Sequence, residues 1–382
     1  VKRIGSKLPK TGTTIFTVMT QLAERHRAIN LAQGFPDFQP PARLQDLVGQ
    51  HLRAGHNQYP PMTGVQRLRE AIARKILDVY RTTVDADSQI TVTSGATEAL
   101  FCAVQAIVGP GDEVIVFDPA YDSYGPAVTL AGGRTTHLPL RTPAFTIDWD
   151  RLETSLTERT RLLIINSPHN PTGALIDGAD LNRLAELLRP YDCFVLSDEV
   201  YEHIVYDGCA HASALAHAEL AQRAFTVSSF GKTYHATGWK VGYCVAPREL
   251  AEEFRRIHQY VTFAAVAPIQ HALADYLDEA PEHYRGLPAF YQAKRDHFAS
   301  LLADSKFELL PARGTYFQLA DYSAVADLDD VEFARWLTIE HGVATIPISV
   351  FYDAGSNGRL VRFCFAKEAQ TLDAAAARLQ AL

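Results

Sequence analysis

Through the middle of the chain, short apolar runs alternate with longer amphipathic stretches. The runs are QITVTS (89–94), EVIVFD (113–118), LLIINS (162–167), CFVLSD (193–198) and AFTVSS (224–229), followed by VGYCVA (241–246). Runs this brief and this apolar predict strands buried on both faces. Between them, Ala99, Leu100, Ala103, Val104, Ile107 and Val108 recur at helical spacing until GPGD (109–112) stops the pattern, and residues 180–188 and 249–260 read the same way. Strands separated by helices predict a largely parallel sheet covered on both sides, a three-layer α/β domain. From about residue 285 the character changes. A helical AFYQAKRDHFASLLAD (289–304) leads to FELLP, TYFQLAD and a late LVRFCFA strand, then a terminal helix, which predicts a smaller α+β domain. INLAQGFPDFQPP (29–41) is too rich in Gly and Pro for a helix or strand and is expected to cross between the two. The predicted division is 1–45 as an N-terminal segment joining the small domain, 46–284 as the large domain and 285–382 as the small C-terminal domain.

Composition narrows the function classes. The 382 residues are 47% hydrophobic and 21% charged, ordinary for a folded protein, with no repeat or low-complexity tract. The net charge of −8 has the wrong sign for a general nucleic-acid binder. No apolar run approaches the ~20 residues of a membrane span, and VKRIGSKLPKTGTT is not followed by the apolar segment of a signal peptide. The five cysteines are scattered, which fits a reduced cytoplasmic setting, and the 14 histidines show no HExxH-type spacing, so no metal is assigned.

The candidate chemistry falls at or just after the carboxyl ends of the predicted strands, the edge where open α/β sheets bind ligands. GATEAL follows the first strand, DPAYDSY the second, NSPHNPTG the third, DEVY the fourth and SSFGKTYHATGWK the fifth, with Arg362 in the last strand of the small domain. In this order and at these separations, the segments resemble the class I, fold type I pyridoxal-phosphate-dependent aminotransferases. The resemblance runs from NLAQGFPDF to VRFCFA and is strongest to the methionine and kynurenine aminotransferase branch, which includes cysteine-conjugate β-lyases.

The resemblance implies a role for each residue. Lys232 matches the Schiff-base lysine; most lysines lie on surfaces, but this one sits among Ser, Gly and Thr just past a buried strand. Condensation needs an unprotonated amine, which burial or a neighbouring cation favours, and the freed amine can serve as general base and acid. Asp198 matches the carboxylate that keeps the cofactor's pyridine nitrogen protonated. Tyr201 and Asn170 match the partners of its 3′ oxygen, with Asn170 also facing the substrate. Gly95, Ala96 and Thr97, where a strand turns into a helix, match the phosphate cradle, together with the Ser229 hydroxyl. Lys240 stands in GWK where much of the family has Arg, replacing a two-pronged donor with a point charge; the methionine and kynurenine branch also has Lys there. Tyr121 matches the aromatic stacked on the pyridine ring. Arg362 matches the fork that grips the substrate's α-carboxylate, near the backbone of Gly34. Tyr59 matches a tyrosine that reaches the phosphate in the neighbouring subunit, which implies a homodimer with shared sites. Phe16, Phe263 and Tyr316 fall where the family lines its side-chain pocket.

The implied activity is transfer of the amino group of methionine, and of aromatic or other hydrophobic L-amino acids, to a 2-oxo acid. Kynurenine transamination or β-elimination on cysteine conjugates is the alternative on the same cofactor. A non-catalytic cofactor-binding regulator is the alternative of another class; such regulators append a DNA-binding domain, for which this sequence offers no spare segment, and the retained Lys232 argues against one.

Overall fold

The computed structural model describes residues 5–9, 11–356 and 358–382. The six predicted strands form, each end within two residues of the expected one: β1 Ile90–Thr93, β2 Glu113–Asp118, β4 Thr160–Asn166, β5 Phe194–Asp198, β6 Ala224–Ser229 and β7 Gly242–Val245. A seventh, β3 Arg134–Pro139, was not expected. RTTHLP has no apolar run because it is an edge strand, paired only with β2 and mostly half-exposed. The sheet order is β1-β7-β6-β5-β4-β2-β3, parallel throughout except for β7, which runs antiparallel to both neighbours.

The apolar runs are continuous because alternate residues feed two different cores. Leu163, Ile165 and Val195 face one cluster, with Leu181, Leu184 and Leu188 of helix Gly178–Leu188. Leu162, Ile164 and Leu196 face another, with Leu100 and Val104 of helix Ala96–Ile107 and Phe254 of helix Arg248–Val261. Gly242 opens β7 where no side chain fits: a Cβ there would lie 2.7 Å from the Ser228 carbonyl oxygen and 3.0 Å from the Ala96 nitrogen. Its absence lets β7 pass against the start of helix Ala96–Ile107.

The smaller part is an antiparallel sheet ordered Ile346–Pro347, Leu360–Cys364, Phe317–Asp321, Glu308–Leu309. Ile29–Asn30 pairs in parallel with Val343–Ala344, and helix Ile15–His26 packs on helix Asp330–Glu340, so the N-terminal segment is built into this part. The two residues that open the Gly- and Pro-rich stretch thus form a short strand, contrary to the expectation of none, and the rest of it runs as a loop that brings the Gly34 carbonyl to Lys232. The helix predicted at 289–304 spans Pro281–Leu301 and runs unbroken through position 285. Its Tyr284 packs into the large-domain core, and its Leu287, Tyr291 and Phe298 into the small-domain core, so one helix bridges both. No helix among the described residues is long and apolar enough to cross a membrane.

Candidate active site

A cavity of about 180 Å³ opens at the carboxyl edge of the large sheet. Its wall contains Gly95, Ala96, Thr97, Tyr121, Asn170, Asp198, Tyr201, Ser229, Lys232 and Lys240 from the sequence-predicted set. Asp198 is the last residue of β5, directly across the ladder from Asn166 at the end of β4. Its carboxylate is buried, with Oδ2 accepting from the Tyr124 hydroxyl at 2.7 Å and Oδ1 from the Val200 N–H at 3.3 Å. Burial pushes its pKa up to about 6, against the opposing pull of the Tyr124 hydrogen bond.

Lys232 sits in the single-turn helix Phe230–Thr233 that follows β6 without a linker. Its Nζ donates to the Tyr316 hydroxyl at 2.8 Å and the Gly34 carbonyl at 3.2 Å, and the Tyr316 hydroxyl in turn donates to that carbonyl at 2.6 Å. Nζ lies 5.3 Å from the Tyr201 ring centre and 5.4 Å from that of Tyr316. Burial lowers the amine's pKa to about 8, and the positive charges of Arg362 and Lys240 act in the same direction. Burial also drives the Tyr201 and Tyr316 phenols well above their ordinary values, so both hydroxyls keep their protons at neutral pH.

One end of the cavity is built for an anion. Gly95, at φ +79°, precedes the helix Ala96–Ile107 and places no side-chain cap over its first N–H groups. A Cβ on Gly95 would stand 3.2 Å from Lys240 Cε and 3.3 Å from its Nζ, so the ammonium group lies against the helix start. Ser229 caps nothing with its hydroxyl. Helix start, ammonium and hydroxyl together suit a phosphate.

Behind Asn170 of the cavity wall lies a group that suits a carboxylate. Arg362 is wholly buried on the central strand Leu360–Cys364, where its guanidinium lies 3.8 Å over the Phe317 ring. Nη1 donates to Asn170 Oδ1 at 2.7 Å and Nη2 to the Ala32 carbonyl at 3.1 Å, while Nε has no protein partner. Among the described residues no carboxylate pairs with it. Phe16 lies 5.3 Å from this guanidinium and 5.8 Å from the Phe351 ring. Tyr59 and Phe263 are not brought to the cavity wall. They meet each other edge to face at 5.5 Å, with Tyr59 86% exposed and Phe263 44% exposed.

Sequence reasoning missed several contributors. Asn166 holds the loop after β4: its Nδ2 donates to the Asp198 carbonyl at 2.8 Å and its Oδ1 accepts from the Asn170 N–H at 2.8 Å. Tyr124 orients the Asp198 carboxylate, and Phe317 and Phe351 flank Arg362. Tyr124 and Asn166 lie inside the motifs DPAYDSY and NSPHNPTG, which was the available signal; Phe351, in a short turn, carried none.

The profile of the family "Aminotransferase class I and II" matches residues 26–379. The chain is 56% identical to the methionine aminotransferase of Escherichia coli K12 over 99% of its own length and 98% of that protein's. A crystal structure from Escherichia coli, described as identifying a methionine aminotransferase function, superposes with a TM-score of 0.98 at 55% identity, covering 100% of both chains. The mouse kynurenine–oxoglutarate transaminase 3 is 33% identical over 95% of this chain and 86% of its own length. The cavity residues and these similarities lead to one conclusion: the chain belongs to the class I and II aminotransferase family.

Proposed function

We propose that this aminotransferase binds pyridoxal 5′-phosphate and takes the amino group of methionine, or less readily of aromatic L-amino acids, for delivery to a 2-oxo acid. The observation that carries the reading is a buried Lys232 that shares one cavity wall with the anion cradle at Gly95 and Lys240 and with Asn170, which holds the buried guanidinium of Arg362. When bound, the cofactor supplies an aldehyde that condenses with amines and a ring that takes up the electron pair left at the substrate's α-carbon.

The chain's residues fit such a group. The first turn of helix Ala96–Ile107, Ser229 and Lys240 would hold the phosphate, and the Tyr121 ring would cover the pyridine. The Asp198 carboxylate, costly to bury alone, would hold the proton on the ring nitrogen. Tyr201 and Asn170 would donate to the 3′ oxygen. Lys232, whose buried amine gives up its proton more readily than an ordinary lysine's, would move a proton from the α-carbon once the substrate frees it. Arg362 and the Gly34 region would orient the α-carboxylate, and Phe16, 5.3 Å from the Arg362 guanidinium, and Tyr316, beside Lys232, would border the space for the side chain.

Methionine is favoured because its thioether adapts to irregular apolar space and aromatic edges add roughly 0.3–1.5 kcal/mol per sulfur contact. Among the described residues no arginine is in the cavity wall, and Arg362, behind Asn170, is taken by the α-carboxylate, which leaves none for a side-chain carboxylate. Transamination screened over methionine, phenylalanine, kynurenine and aspartate with one shared 2-oxo acid is expected to give methionine the highest kcat/KM. Aspartate ranking first would overturn the reading. The similarity to kynurenine–oxoglutarate transaminases supports a second reading on the same residues, which kynurenine ranking first would favour. The five free cysteines support placement in the reducing cytoplasm.

A further inference from the structure

Far along the chain from each other, His51, near the end of helix Ala42–Arg53, His56, just beyond it, and His271, on helix Ala267–Glu279, come together at one spot outside the active-site cavity. The His56 and His271 rings are 4.0 Å apart, and the His51 ring is 5.1 and 5.3 Å from them. One ring nitrogen from each lies within 4.8 Å of the other two. We propose that these three histidines form a binding site for a borderline divalent transition metal ion, with Zn²⁺ the fitting probe.

His51 carries the argument. Its Nε2 donates to Asp275 Oδ2 at 2.7 Å, and Asp275 is itself held by Arg67 Nη2 at 2.7 Å. That contact places the ring's proton on Nε2 and leaves the lone pair on Nδ1, which is buried and has no hydrogen-bond partner among the described residues. A carboxylate behind a histidine, fixing tautomer and ring orientation, is the usual outer support of a metal ligand. Asp275 lies one helical turn after His271, so one helix supplies both a ligand and the support of another.

A second group, Glu98, Cys102 and His258, shows by contrast what a purely structural cluster looks like. There Glu98 Oε1 accepts from His258 Nδ1 at 2.6 Å and from Cys102 Sγ at 3.1 Å, and His258 Nε2 donates to the Met62 carbonyl at 2.9 Å. Nothing is left to bind an ion. The histidine triad keeps His51 Nδ1 free, is only half-buried and would leave a fourth position to water, as three-histidine zinc sites do. Zn–N bonds of about 2.0–2.1 Å require the rings to close inward slightly, a motion open to His56 and His271, which are only half-buried. The ion would tie the segment leading to Tyr59 to both helices.

The test is equilibrium dialysis of the chelator-treated holoenzyme against Zn²⁺, with Co²⁺ absorption as a readout of ligand geometry. One ion per chain is expected, bound at least about tenfold more weakly by Asp275→Asn and about a hundredfold more weakly by His271→Asn. His56→Asn, on a loop, should match His271→Asn with its circular dichroism and cofactor spectrum intact. Stoichiometric binding unchanged in both histidine variants, or none at 100-fold excess of Zn²⁺ over protein, would overturn the site.

Discussion

In the role proposed for Lys232, two requirements meet on one nitrogen: the amine must be neutral to attack an aldehyde, yet basic enough to carry a proton afterwards. An amine at the ordinary value of 10.5 would be neutral in roughly three molecules in ten thousand at pH 7; at about 8 the fraction is roughly one in ten. Covalent capture of pyridoxal phosphate by the cofactor-free protein should therefore quicken about tenfold per pH unit up to about pH 8 and then level off. Stopped-flow absorbance follows this directly, and a plateau reached only near 10.5 would remove burial as the activating cause. Asp198 illustrates the opposite cost. Its folded pKa of about 6 exceeds its ordinary 3.8, so the native state binds the proton more tightly and this group's contribution to stability falls as pH rises from about 4 to 6. Above that window the cost is constant, about 1–3 kcal/mol on a value of 1.36 kcal/mol per pKa unit. Asp198→Asn keeps an acceptor for Tyr124. It should raise the melting temperature of the cofactor-free protein at pH 8, leave it nearly unchanged at pH 4, and abolish most transamination. A melting temperature that falls at pH 8 would show that the carboxylate stabilises the fold.

At the scale of elements, the site is made where strands end and helices start, and two glycines separate function from folding. Gly95→Ala puts a side chain at φ +79° and ψ 170°, which costs roughly 1–3 kcal/mol, and presses on the movable end of Lys240. The fold should survive while cofactor affinity drops at least tenfold, measured by fluorescence titration. Gly242→Ala meets the rigid Ser228 carbonyl and Ala96 nitrogen instead, so it should lower the melting temperature more than Gly95→Ala does. Why some elements were legible follows from the same geometry. Strands β2, β4, β5 and β6 are interior and buried on both faces, so hydrophobicity alone marks them. Strand β3 sits on the edge, and its RTTHLP pattern answers to solvent as much as to the core. Helix Pro281–Leu301 changes core halfway along, so a boundary inferred from a change in pattern fell inside it. Lys232, Asp198 and Asn170 were legible because compact motifs carry them. Asn166, Tyr124, Phe351 and the histidine triad acquire meaning only through partners distant in sequence.

At the scale of the whole molecule, the single chain leaves part of its predicted site outside the cavity. Tyr59, Tyr260, Val261, Phe263 and Val266 are all exposed apolar residues, and Tyr59 touches Phe263. Such residues gathered on one surface are the mark of an interface. The reading that follows is a homodimer in which Tyr59 reaches the phosphate held by the other subunit. Sedimentation should give a dimer at micromolar concentration, and Tyr59→Asp should weaken both association and cofactor binding. The sharper expectation concerns mixtures. Lys232→Ala removes the reacting amine, and Tyr59→Phe removes only an exposed hydroxyl, which on this reading should lower activity through weaker phosphate binding and leave the fold intact. In a hybrid dimer, one site combines Lys232 from the Tyr59→Phe chain with Tyr59 from the Lys232→Ala chain and is complete, while the other carries both defects. At limiting cofactor, mixing the two variants after mild dissociation should therefore raise activity above the sum of the separate proteins. Activity that never exceeds that sum, with hybrid formation verified by native mass spectrometry, would place Tyr59 in its own chain's chemistry or in none.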